Sequence, residues 1–285
     1  MQRTITDEML KDYENYLYEQ EKSRATIQKY LCDLQKLLAF ADGREFTKSL
    51  VIEYKEYLIE KGYKTTSINS YLVAANGFFT FVEWFELRIN TLKVQREAFM
   101  PQKRELTKEE YKKLVETAYA KGKIKIGMII ETICGTGIRV SELSAITVEA
   151  VKKGMATIAN KGKERTILIP RKLQVKLLTY IRKNGISDGA VFCTANGKAV
   201  DRTWIWREMK KLCEDAGVDK SKVFPHNLRH LFARTFYKMF KYIAKLADML
   251  GHGSIETTRI YLKESFMEHR KQLDRMDLLV GEGTT

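Results

Sequence analysis

The segment PHNLRHLFA holds His226, Arg229 and His230, and LGHGSIETTRIYL follows with His252 and Tyr261. A tyrosine nine residues after a Gly-His pair, behind a His-x-x-Arg-His block, concentrates groups that handle phosphate. The chemistry they suit is cleavage of a phosphodiester by a tyrosine nucleophile. A phenol attacks poorly unless a base or local positive charge assists it. The transition state gathers negative charge on the non-bridging oxygens, which arginine forks match in number and geometry. The leaving 5′ oxygen needs a proton, and a lysine of lowered pKa can supply it.

Other segments supply the missing parts. In CGTGIRVSEL, Arg139 follows a glycine-rich break at the start of an apparent helix, with Glu142 three residues on. Lys161 opens the basic run KGKER, which also contains Lys163 and Arg165. His226 and Arg229 are three residues apart and share one face of a helix. Glu142 reads as a group that orients the site, and His230 as support behind it. Tyr237 and Tyr242 lie in an apolar helical pattern and read as core.

These residues need elements to hold them. Residues 1–95 carry three-four apolar spacing, for example Ile27, Tyr30, Leu31, Leu34, Leu37 and Leu38, then Ile68 through Phe85. Four helices with short polar connections make an all-α unit. Periodicity is lost over KVQREAFMPQKRE, which places a linker at 96–105. A second domain, 106–285, opens on Thr107-Lys108-Glu109-Glu110, the spacing of a capping box. MATIAN (155–160) and RTILIP (165–170) alternate as strands of a hairpin with KGKE as its turn, and AVFC (190–193) reads as a third strand. The expected class is mainly α with a small β-sheet, α+β.

Composition narrows the partners. The net charge of +14 favours a polyanion, because Lys and Arg release counterions when they neutralise backbone phosphates. No stretch approaches the ~18 apolar residues of a membrane span, and MQRTITDEML has no hydrophobic signal-peptide core. The four cysteines are widely spaced, without a Cys-x-x-Cys, which argues for reduced thiols in a cytoplasm and against a structural zinc.

GTGIRVSEL, NKGKER, HNLRHLFA and LGHGSIETTRIYL, in this order, resemble the tyrosine recombinases, the family of phage integrases and bacterial Xer recombinases. The resemblance runs over essentially the whole chain. It implies a helical core-binding domain at the N-terminus and a catalytic domain behind it. Arg139 and Arg229 then resemble the two arginines that hold the scissile phosphate. His226 resembles the histidine that assists proton transfer, His252 the later histidine on the phosphate, and Tyr261 the nucleophile that forms a 3′-phosphotyrosyl link. The hairpin is one residue shorter than the family's usual Gly-Lys-Gly-x-Lys-Glu-Arg, so the general acid is Lys161 or, alternatively, Lys163. With Lys161 as the acid, Lys163 or Arg165 would contact DNA backbone. Lys22, Arg24, Lys29, Lys64 and Thr65, around two helix starts, resemble DNA-facing positions.

The family reading implies a site-specific recombinase acting on double-stranded DNA with paired half-sites. It further implies a homotetramer coupled by exchange of the C-terminal tail (262–285), with a possible second recombinase or accessory protein. No metal or nucleotide cofactor and no membrane is implied. A type IB topoisomerase and a catalytically inactive DNA-binding regulator are the alternatives.

Overall fold

A computed structural model describes residues 3–94, 105–160, 163–194, 196–259 and 261. The chain divides into two compact units, Met1–Arg96 and Glu97–Thr285.

Among the described residues the first unit holds four α-helices, α1 (Asp7–Glu19), α2 (Arg24–Ala41), α3 (Lys48–Glu60) and α4 (Thr65–Phe81), and a short 3-10 turn, Phe85–Leu87. Thr6, Ser23 and Thr47 cap the first three, each side chain accepting an N–H from the third residue beyond it. Tyr13, Leu34, Leu37, Tyr54, Leu72, Phe78 and Phe79 form its core, so the three-four periodicity marks the buried faces. Two asparagines of α4 clasp the chain that follows it. Asn69 exchanges a pair of hydrogen bonds with the backbone of Leu92, and Asn76 does the same with Ile89.

In the second unit, α5 (Lys108–Ala120) begins on the expected capping box, Thr107 and Glu110 serving each other's backbone N–H. The next helix, α6 (Ile124–Thr136), buries Ile126, Ile129, Ile130 and Ile133 and packs against α5 and three later helices. Gly137 ends it in the left-handed conformation, φ +67°. A 3-10 turn, Val140–Ala145, and α7 (Val148–Lys153) lead into the antiparallel hairpin of β1 (Met155–Asn160) and β2 (Lys163–Leu168). Its buried face presents Ala156, Ile158 and Ile167, while Met155 and Leu168 point out. Then come α8 (Arg171–Lys183), α9 (Arg202–Ala216), α10 (Pro225–Phe240), α11 (Ile243–Leu250) and α12 (Ile255–Arg259). Among the described residues the fold is thus mainly helical with one two-stranded sheet. Among the described residues, no helix is long and apolar enough to cross a membrane.

Three local expectations need correction. Pairing continues to Asn160–Lys163, so the ladder takes in Lys163 and Glu164 and the turn is shorter than KGKE. AVFC does not join the sheet: Ala190 and Cys193 make only isolated bridges, to Thr147 and Ala199. Its apolar character serves the core instead, where Val191 and Phe192 are buried. Tyr242 is 69 % exposed rather than core, because Lys241 (φ +58°) breaks the helical path between α10 and α11.

Gly137 is constrained twice. A Cβ there would lie 2.5 Å from Cδ1 of Phe232 and 3.1 Å from Cδ2 of Leu250, in a conformation L side chains avoid. Gly137→Ala should cost about 2–4 kcal/mol, combining left-handed strain with overpacking. A lowered midpoint in chemical denaturation of the full chain checks this; an unchanged midpoint would show that Phe232 yields freely.

Candidate active site

Helix α10 starts on Pro225, which needs no hydrogen-bond partner at a helix N-terminus. Spacing of three and four then puts His226, Arg229 and His230 along one flank. Among the described residues Arg229 is the largest fully buried side chain, 1 % exposed. Its Nη1 donates to Gly137 O at 2.5 Å and its Nη2 to Leu250 O at 2.7 Å. Burial, and the charge of Arg139 beside it, lower its pKa to about 10, so it keeps its charge near neutral pH. Its Nε is buried with no hydrogen-bond partner among the described residues.

His252 lies just beyond α11. Its Nε2 is 3.0 Å from Arg229 Nη2 and its Nδ1 is 2.9 Å from Thr258 Oγ1. A guanidinium only donates, so Nε2 accepts and the proton resides on Nδ1, directed at Thr258. Burial, with Arg229 and Arg139 close by, lowers the His252 pKa to about 4 and favours this neutral form. While this contact holds, His252 has no free N–H; donating to a phosphate requires it to release Arg229 and take up or relocate a proton.

Tyr261 stands two residues past α12 and is 7 % exposed. His230 stacks on its ring at 4.2 Å between centroids; His252 and His226 flank it at 5.0 Å and 5.3 Å. The Arg229 guanidinium carbon is 5.8 Å from the ring centre. His226 and His230 meet edge to face at 4.8 Å. Burial, and His226 beside it, lower His230 to a pKa of about 3, so it meets the phenol as a neutral ring. Burial, with Arg229 next, also lowers the His226 pKa.

Arg139 completes the cluster. Its backbone N–H and its Nη1 both donate to Glu142, each at 2.9 Å, and its Nη2 reaches Gly251 O at 3.3 Å. Burial by itself raises the Glu142 pKa, but hydrogen bonds from Arg139 and the charge of Arg165 outweigh it and hold the carboxyl below its ordinary range.

Arg139, Glu142, His226, Arg229, His230, His252 and Tyr261 therefore converge, although 122 positions separate Arg139 from Tyr261 (261 − 139). Lys161 lies outside the described residues. Lys163 begins β2, opposite Asn160. Arg165 was expected to face DNA backbone, but it is 12 % exposed and turns inward to Glu142 at 2.5 Å and to Met249 O at 3.0 Å. Lys22, Arg24, Lys29, Lys64 and Thr65 are exposed in the first unit. Ser23 caps α2 and Lys64 precedes α4, so both expected helix starts are present. Lys29 pairs with the buried Asp33 at 2.6 Å. Sequence reasoning missed Thr258 and the carbonyls of Gly137, Met249, Leu250 and Gly251. A backbone acceptor has no residue type to announce it, and Thr258 gains its meaning only from where His252 falls.

The phage integrase family matches residues 104–268, and the phage integrase N-terminal SAM-like domain matches residues 10–85. Tyrosine recombinase XerA of Pyrococcus furiosus is 32 % identical, covering 98 % of this chain and 97 % of that protein. Tyrosine recombinase XerD of Halalkalibacterium halodurans is 28 % identical over 84 % of this chain and 87 % of its own length. The crystal structure of a lambda integrase dimer bound to a COC′ core site aligns with TM-score 0.72 at 16 % identity, covering 99 % of this chain and 100 % of that one. The post-cleavage complex of XerH on a palindromic difH substrate aligns with TM-score 0.71 at 20 % identity, over 88 % and 80 % of the two chains. These two structures share the fold; the sequence matches carry the kinship, and by them the chain belongs to the phage integrase family of tyrosine recombinases.

Proposed function

We propose that this chain is a Xer-like site-specific recombinase that cleaves and rejoins duplex DNA through a 3′-phosphotyrosyl intermediate and a Holliday junction. The observation that carries the reading is the Tyr261 ring, walled by three imidazoles and the buried Arg229. The Tyr261 oxygen attacks the scissile phosphorus and gives up its proton with help from His226. Arg139 and Arg229 hold the non-bridging oxygens, with His252 beside them. The bond to the 5′ oxygen breaks, and that oxygen takes a proton from Lys161, or from Lys163 if the shorter hairpin shifts the role. The phosphotyrosyl bond conserves the energy of the broken one, so religation by another 5′ hydroxyl needs no nucleotide.

The domains follow as 1–95 for core binding, 96–105 as linker and 106–285 for catalysis. Lys22, Arg24, Lys64 and Thr65 would meet phosphates at the starts of α2 and α4, with Lys29 beside them. Each protomer takes one half-site in the cytoplasm, and four assemble through exchange of the tail, which lies outside the described residues. The enzyme would serve a mobile element or chromosome-dimer resolution, and a second recombinase or accessory factor is compatible with this scheme.

The test uses a nicked half-site substrate that traps the intermediate. The unmodified protein should give an adduct that survives denaturation and maps to Tyr261. DNA binding without any adduct would support a catalytically inactive regulator instead. Deleting residues 265–285 should leave half-site binding and cleavage but abolish Holliday junctions; junction formation at the parent rate would remove tail exchange from the scheme.

A further inference from the structure

Three successive carbonyls at the C-terminal end of α11 each accept from a different arginine. Met249 O binds Arg165, Leu250 O binds Arg229 and Gly251 O binds Arg139. A helix end has unpaired carbonyls and a partial negative charge, so cations settle there naturally. Two of these arginines are the proposed phosphate clamp. The third, Arg165, comes from β2 and divides its guanidinium between Met249 O and Glu142, the carboxylate that also holds Arg139.

We infer that Arg165 is a positioning residue for strand cleavage: it sets the Arg139 guanidinium through Glu142, and His252 through the end of α11. The inference rests on the recombinase reading. Arg165 is too enclosed to serve as a simple phosphate contact, with both Nη atoms occupied and its Nε buried without a partner among the described residues. Gly251 is built around it as well. A Cβ at Gly251 would fall 2.3 Å from Arg165 Cδ and 2.8 Å from its Nε, so the left-handed glycine before His252 leaves room for this side chain. The charged groups acting on Glu142 are Arg139 from its own turn and Arg165 from β2, while α10 and the end of α11 bring Arg229 and His252 to the same clamp.

Arg165→Met tests this. Misplacement of about 1 Å at a reacting phosphate can cost about 100-fold in rate, and a loss of about that size is expected in single-turnover cleavage. Half-site affinity and its salt slope should stay near those of the parent. A second signature separates positioning from general loosening. With Arg165 gone, the Glu142 carboxyl loses a cation and its pKa rises, and once protonated it no longer holds Arg139. Cleavage by Arg165→Met should therefore fall with decreasing pH where the parent's does not, and Arg165→Met/Glu142→Gln should lack that acid limb. Arg165→Lys restores the charge without the fork and should recover part of the rate. If Arg165→Met does not fold, a Lys variant that cleaves more slowly than the parent at unchanged half-site affinity supports the inference, and a Lys variant equal to the parent overturns it. Cleavage by Arg165→Met within about threefold of the parent overturns it, as does a parallel loss of affinity with a salt slope smaller by about one, which marks a phosphate contact. A parent that binds DNA and never forms an adduct refutes the recombinase reading itself, a distinguishable failure.

Discussion

Tyr261→Phe should bind half-site DNA as the parent does and form no covalent adduct. The substitution removes one oxygen and keeps the ring that packs against His230, Ala233, Leu246 and Leu250. Folding and affinity therefore have little reason to change. Loss of a covalent nucleophile typically costs about 10⁴-fold or more, so adduct should fall below detection in a single-turnover trap. Tyr261→Ala is a poorer test, because deleting a buried aromatic ring costs about 3 kcal/mol and confuses packing with chemistry. An adduct persisting in Tyr261→Phe would assign the nucleophile elsewhere, and the convergence of His226, His230 and His252 on this ring would then need another purpose.

What could be read from sequence was whatever residue type and spacing determine locally. The i, i+3, i+4 pattern of His226, Arg229 and His230 implies one helix flank, and α10 presents them so. Alternation in MATIAN and RTILIP implies a hairpin, and the two runs do pair as antiparallel strands. Thr107 and Glu110 announce a helix start by chemistry that acts across one turn. Two of the failures depend on the chain's path at a distance, and a third on a local break. A run of four apolar residues such as AVFC does not say whether a second strand will lie beside it, and here the run fills the core as irregular chain. Arg165 in a basic hairpin looks solvent-bound until Glu142 and the end of α11 arrive to receive it. Tyr242 fits a continuous helix, and only the left-handed Lys241 turns it out.

The second large effect is expected at Arg229→Lys. The guanidinium spans two carbonyls, Gly137 O and Leu250 O, on chain segments 113 positions apart (250 − 137), and still reaches His252. An ammonium is a compact charge on a flexible stem and cannot reproduce that fork. At least one carbonyl then loses its donor inside the protein, which costs about 1–3 kcal/mol and should appear as a lower denaturation midpoint. Cleavage should fall about 10³-fold, the scale for losing a preorganised donor to a developing phosphoryl charge. The net charge is unchanged, so the salt slope of DNA binding should be too. This pattern distinguishes orientation from charge: a lysine variant that cleaves within about tenfold of the parent would mean that a point charge is enough. Because the acceptors are backbone carbonyls, no second side-chain substitution removes them, and the stability and cleavage losses should persist together in any double variant built on Arg229→Lys.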